Sequence, residues 1–140
     1  MWPFFLLSVH KLVFIRRNRF KRKGSKRIMK FTESLKKSKD FQHTYRRGLL
    51  KANKLLVMYV RKNSLEKNRI GISVSKKVGN SVNRHRLTRL IRESYRVSED
   101  FFICGIDIII VVRPIAKDSG YHQIRSALLH LGKLHHIYMD

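Results

Sequence analysis

The chain has 140 residues, 43% of them hydrophobic, enough for one domain with a buried core and too apolar for a purely disordered basic tail. Its 32 Lys and Arg against 9 Asp and Glu give a formal charge of +23 at pH 7, and self-repulsion on that scale points to a polyanionic partner, nucleic acid. A single cysteine, Cys104, excludes an internal disulfide, suits a reducing compartment, and reads as a small buried hydrophobe between apolar neighbours.

Residues 2 to 15, "WPFFLLSVHKLVFI", are apolar but interrupted by His10 and Lys11, and they fall short of the ~20 residues a spanning helix needs. The positive run "RRNRFKRKGSKR" follows them, whereas a secretory signal puts its charge first. Neither a membrane span nor a signal peptide is expected. Residues 1–28 hold nine Lys or Arg and no acid. They read as a basic appendage, either disordered or upstream sequence read through an early start, and the folded domain is expected over 29–140.

In "MKFTESLKKSKDFQHTYRRG", Ser38 is placed to cap a short helix whose Phe41 and Tyr45 fall one turn apart, and Gly48 is placed for a left-handed C-terminal residue. A short extended piece at 49–51 and a turn near Asn53 follow. The runs "LLVMYVRK" and "RIGISVS" carry the β-branched and aromatic bias of strands and, joined by the polar "NSLEKN", predict a hairpin. In the second run Ile70, Ile72 and Val74 point one way, while Arg69, Gly71, Ser73 and Ser75 point the other, so one face packs and the other stays open.

From Ser81 to Arg96, a turn of about 100° per residue gathers Leu87, Leu90, Ile91 and Ser94 on one side and His85, Arg89, Arg92 and Arg96 on the other. The helix has a core face and a basic face. Its start, "KKVGNS", offers two lysines, a flexible glycine and Asn80 or Ser81 as cap, which sets free amides and the positive end of the dipole among cations. A solvated charged face is the ordinary alternative, but such a face mixes signs. Here only Glu93 does so, four residues after Arg89, where it can pair on the helix.

"DIIIVVRP" is apolar on both sides and predicts an interior strand ending at Pro114. In "YHQIRSALLHLGKLHHIY", Ile124, Ala127, Leu128, Leu131 and Leu134 recur at helical intervals, with Gly132 a weak spot. No internal repeat, zinc-type Cys/His pattern or P-loop is present in the sequence. The order predicts an α+β domain, helices packed against a mostly antiparallel sheet.

The stretch "GISVSKKVGNSVNRHRLTRLIRE" closely resembles the signature of the bacterial ribonuclease P protein component: a strand, a Lys-Lys-x-Gly-Asn turn and an arginine-rich helix. The resemblance extends through "MKFTESLKKSKDFQHTYRRG", "DIIIVVRP" and the last helix, about residues 29 to 135. His85 stands where Asn is common in the family, and Thr88 where Lys is common. In the family the arginine-rich helix carries a so-called R-N-R motif; the literal Arg17-Asn18-Arg19 triplet is a decoy for it, since no helical apolar spacing surrounds it and it precedes the domain.

The resemblance implies an α-β-β-β-α-β-α fold similar to the second domain of a small-subunit ribosomal protein, with a left-handed strand-helix-strand crossover against the usual preference. It implies a cytoplasmic, monomeric protein in a one-to-one complex with a catalytic RNA. That RNA holds the Mg²⁺ and hydrolyses the 5′ leader from precursor tRNA, while the protein binds no metal tightly. The RNA-contacting residues it implies are Lys76, Lys77, Asn80, Arg84, His85, Arg86, Arg89, Arg92 and Arg96. A cleft for the single-stranded leader is implied at Phe41, Tyr45, Arg47, Tyr59, Arg69 and Ser73. Aromatic stacking and backbone charge suit that role, although Phe41 and Tyr45 also fit the apolar face of an ordinary amphipathic helix.

The residue chemistry supports that division of labour. A two-metal protein nuclease needs converging carboxylates, and of the nine acids only Glu99 and Asp100 adjoin. His43, His85, His122, His130, His135 and His136 fall on different predicted elements, so no catalytic or metal-binding residue is assigned. A ribosomal-protein-like structural RNA binder is the alternative reading. A DNA-reading regulator fits less well, because the exposed helix side offers Arg and His rather than base-reading amides.

Overall fold

The computed structural model describes residues 29–139. The expected appendage, its apolar run, the Arg17-Asn18-Arg19 triplet and Asp140 lie outside the described residues. The elements run β1 (Thr32–Ser34), α1 (Ser38–Arg47), β2 (Leu49–Ala52), β3 (Leu56–Lys62), β4 (Asn68–Ser73), α2 (Ser81–Ser98), β5 (Ile106–Val112) and α3 (Tyr121–Leu134). Short 3₁₀ turns follow α2 and β5.

The α+β class is as expected. The sheet, ordered β1-β4-β5-β3-β2, is evenly mixed rather than mostly antiparallel: β1–β4 and β4–β5 are parallel, β3–β5 and β2–β3 antiparallel. The predicted β3–β4 hairpin does not form, because β5 lies between the two strands. The cause is the composition of β5, which is apolar on both faces and is buried along nearly its whole length; such a strand belongs at the sheet's centre. The "NSLEKN" linker therefore spans two strand spacings. Asn63 shapes it, its Oδ1 accepting from the Leu65 amide and its Nδ2 donating to the Lys67 carbonyl. Strand β1 is an element the sequence did not announce, since three residues show no alternation and form a strand only by pairing with β4.

Leu56, Met58, Val60, Ile70, Ile108, Ile110 and Val112 build one side of the sheet, and α2 and α3 cover it with Leu87, Ile91, Tyr95, Ile124, Leu128 and Leu131. Burying a large apolar side chain there stabilises by roughly 1.5–3 kcal/mol. Leu134, expected in this core, is 39% exposed, because α3 ends there. The chain turns at His136 (φ 58°), and Ile137 enters the core instead. Cys104 is buried as read.

Helix α1 lies on the other side of the sheet. Lys37 rather than Ser38 occupies its N-cap, without a side-chain cap bond, and Gly48 is extended (φ −74°, ψ 154°) rather than left-handed. Glycine is needed at 48 for a different reason: a Cβ there would strike the Thr44 carbonyl oxygen. Gly71 on β4 is likewise a close approach, since a Cβ would sit 2.6 Å from Phe41 Cζ.

Candidate nucleic-acid interface

The turn from β4 into α2 hangs on one apolar anchor. Val78 is 2% exposed and its amide donates to the Ser75 carbonyl at 3.1 Å, which leaves Lys76 and Lys77 exposed on the outside of the turn. Asn80 is the N-cap, its Oδ1 accepting from the Asn83 amide at 3.0 Å. That side chain serves the helix start, while the first-turn amides and dipole end face a setting with no acid in the first turn.

Along α2, Leu87, Ile91, Ser94, Tyr95 and Ser98 are buried, and Leu90 is half-buried against the core. His85, Arg89 and Arg92 are exposed; Arg84, Arg86 and Arg96 are half-buried. The two faces fall where the 100° spacing put them, but two cations are held by partners the sequence did not reveal. Arg86 donates from Nη1 to the Ser119 carbonyl at 2.9 Å and from Nη2 to the Lys117 carbonyl at 2.7 Å, tying α2 to the turn before α3. Arg96 grips Glu93 with two bonds, at 3.0 and 2.7 Å, where the sequence suggested Arg89 as the partner of Glu93. Thr88 donates to the Arg84 carbonyl and stays within the helix.

Between α2 and the edge strand β1 runs an open groove of about 740 Å³, lined by Arg86, Arg89, Arg92 and Arg96, with Glu93 among them paired to Arg96. Phosphate oxygens suit the exposed Arg89 and Arg92, since guanidinium groups donate in planar pairs, whereas Arg86 and Arg96 are already engaged within the protein.

On the opposite side of the sheet, α1 and β3 meet at Tyr45 and Tyr59, edge to face with ring centroids 4.8 Å apart; Phe41 stands 6.4 Å from Tyr45 and lies over Gly71. Register places Gly71, Ile109, Tyr59 and Leu50 in one row across the sheet, and Ser73, Val111, Val57 and Ala52 in the next. Ser73, Val57 and Val111 are half-buried and Ala52 is exposed, so this second row is an incompletely covered floor beside the aromatic pair. Phe41 is half-buried, consistent with both of its readings. Arg47 is exposed at the end of α1. Arg69 is engaged: its hydrogen bond to Asp107 raises it above the ordinary guanidinium value, and it also bonds Asp40.

The acids are largely committed to the fold. Glu33 pairs with Lys67, Asp40 and Asp107 with Arg69, Glu93 with Arg96, and Asp100 with Lys30. Glu99, 1% exposed, accepts the amides of Lys30 and Phe31. Among the described residues no group of three or more His, Cys, Asp and Glu is placed to hold a metal ion. His135 turns inward, 3.0 Å from the Met58 carbonyl, and burial pushes its pKa below the ordinary imidazole value. His130 contacts Asn53. No helix among the described residues is long and apolar enough to cross a membrane.

A family model described as Ribonuclease P matches residues 29–135. The ribonuclease P protein component of Lachnoclostridium phytofermentans is 58% identical over 106 residues, 76% of this chain and 91% of that protein. That of Alkaliphilus metalliredigens is 52% identical over 103 residues, 74% and 93%. Among solved structures, the Staphylococcus aureus RNase P protein superposes with a TM-score of 0.71 at 39% identity, covering 75% of this chain and 96% of that one. The Thermotoga maritima protein gives 0.66 at 29% identity, covering 71% and 94%.

Proposed function

The chain belongs to the ribonuclease P protein family, subunits of an endoribonuclease of tRNA processing, and we propose that it binds the ribonuclease P RNA through α2 and the leader of precursor tRNA through the α1 cleft. Family membership carries the association with that RNA. The finer assignment rests on one observation: the solvent side of α2 and the turn before it present Lys76, Lys77, Arg89 and Arg92 exposed, with Arg86 and Arg96 lining the same groove.

In this reading the contribution of the protein is electrostatic and positional. Lys76, Lys77, Arg84, Arg89 and Arg92 neutralise phosphates, and each neutralised phosphate adds about 0.7–0.9 to the salt slope of affinity. His85 and Arg96 flank them. Asn80 presents the helix start, and Arg86 fixes the direction of α2 while lining the groove. Tyr45, Tyr59 and Ser73 line the leader path, with Phe41 as its inner wall and Arg47 at its mouth. Mg²⁺ is assigned to the RNA, which performs the hydrolysis, in a one-to-one complex in the cytoplasm. The test is reconstitution of the chain with ribonuclease P RNA and comparison of affinity for precursor and mature tRNA. A preference for the precursor that depends on the protein supports the reading; equal affinities contradict it.

A further inference from the structure

Arg69 has surroundings unlike those of a free phosphate ligand. Each of its three guanidinium nitrogens donates to a carboxylate: Nε to Asp107 Oδ1 at 2.8 Å, Nη2 to Asp107 Oδ2 at 2.7 Å, and Nη1 to Asp40 Oδ2 at 3.1 Å. Asp107 is fully buried on the central strand, directly across from Arg69 in the parallel register, and also accepts from Asn63 at 2.9 Å with Arg61 at 3.8 Å. A two-pronged pair of this kind fixes the guanidinium plane. Asp40 stands in the first turn of α1, immediately before Phe41. The contacts therefore run without a gap from β5 through β4 to α1. They end beside the ring that lies over Gly71, one helical turn before Tyr45.

We propose that Arg69 is a positioning residue and not a leader-phosphate ligand: clamped by Asp107, it holds Asp40 and so sets where α1 sits over the sheet and how its aromatic rings line the cleft. This rests on the leader-cleft reading above. Two physical points favour it. A phosphate approaching Arg69 meets the Asp40 carboxylate already at Nη1, and like charges at such separations repel. Moreover, the Asp40–Arg69 pair is part-exposed, with side chains 25% and 20% accessible. Such a pair contributes little to global stability, so its effect falls on the placement of α1 over the sheet.

The two roles for Arg69 predict opposite signs for one substitution, Asp40→Asn. Holoenzyme is reconstituted with ribonuclease P RNA and Mg²⁺, and affinity for precursor tRNA is divided by affinity for mature tRNA. If Arg69 is a strut, Asp40→Asn lowers this ratio about two- to fivefold, the scale of a part-exposed ion pair. Affinity for mature tRNA stays unchanged, and Asp40→Glu restores part of the ratio. If Arg69 is a ligand, removing the competing carboxylate raises the ratio, which overturns the proposal, as does an unchanged ratio. Tyr59→Ala, measured alongside, separates the two failures. A loss with Tyr59→Ala but none with Asp40→Asn defeats the strut alone, whereas no loss with either defeats the cleft reading and the strut with it.

Discussion

Tyr45 of α1 and Tyr59 of β3 meet edge to face at 4.8 Å between ring centroids. The pair joins helix to sheet, yet Tyr45 remains 38% exposed. A contact made only for the core would bury both rings. This one leaves aromatic surface beside the half-covered row of Val57, Val111 and Ser73.

Tyr59→Ala is therefore expected to weaken binding of precursor tRNA by the holoenzyme, on the order of the ~1–3 kcal/mol of a stacked base, with affinity for mature tRNA unaltered. Titration of both tRNAs with wild-type and variant holoenzyme checks this. A structural RNA binder without a leader cleft predicts equal effects on the two.

Gly71→Ala should push Phe41 off the sheet, because the new methyl would sit 2.6 Å from Phe41 Cζ. Overpacking of this kind costs roughly 1–3 kcal/mol. Denaturant unfolding reads the stability loss, and the precursor-to-mature affinity ratio should fall with it. Full stability in the variant would show that Phe41 has somewhere else to go.

Arg89 and Arg86 lie three residues apart on α2 and should behave differently. Arg89→Ala is expected to reduce the slope of log affinity for ribonuclease P RNA against log salt by about 0.7–0.9. Arg86→Ala loses bonds to the Ser119 and Lys117 carbonyls and should cost roughly 1–3 kcal/mol of folding stability. Salt titrations and unfolding curves on the two variants test the contrast; an unaltered slope for Arg89→Ala removes it from the phosphate contacts.

Much of this arrangement is legible in the sequence. The 100° spacing separates Leu87 and Ile91 from Arg89 and Arg92, and the doubly apolar "DIIIVV" announces a central strand. The rest depends on residues that only the fold brings together. Arg86 finds its carbonyls 31 and 33 residues away, and Arg69 finds Asp107 38 residues away. No local pattern encodes such partners. The hairpin expectation fails for a related reason: alternation shows that β3 and β4 are strands but not that β5 enters between them. Gly48 shows that a glycine after a helix is consistent with a left-handed cap or with a close approach to a carbonyl, and here the second holds.

Stability should depend on pH through His135. Its folded-state pKa is lowered, by burial first, while the Met58 carbonyl partly opposes the shift and Lys51 and His136 add to it. Protonation thus favours the unfolded chain. The stabilisation is complete above the ordinary imidazole value of ~6.5 and declines as pH falls below it, by at most ~1.4 kcal/mol per pH unit. Unfolding free energies from pH 7 to pH 5 should drop less steeply in His135→Gln than in wild type; identical slopes would assign the acid sensitivity elsewhere.

In the proposed division of labour this polypeptide docks and positions while RNA performs the hydrolysis. Cleavage of precursor tRNA is best measured with the purified chain alone, stripped of nucleic acid, and with the chain plus ribonuclease P RNA, both in Mg²⁺. The chain alone should leave precursor tRNA uncut, and the leader should be released once the RNA is added. Cleavage at the same rate by the chain alone would contradict that division.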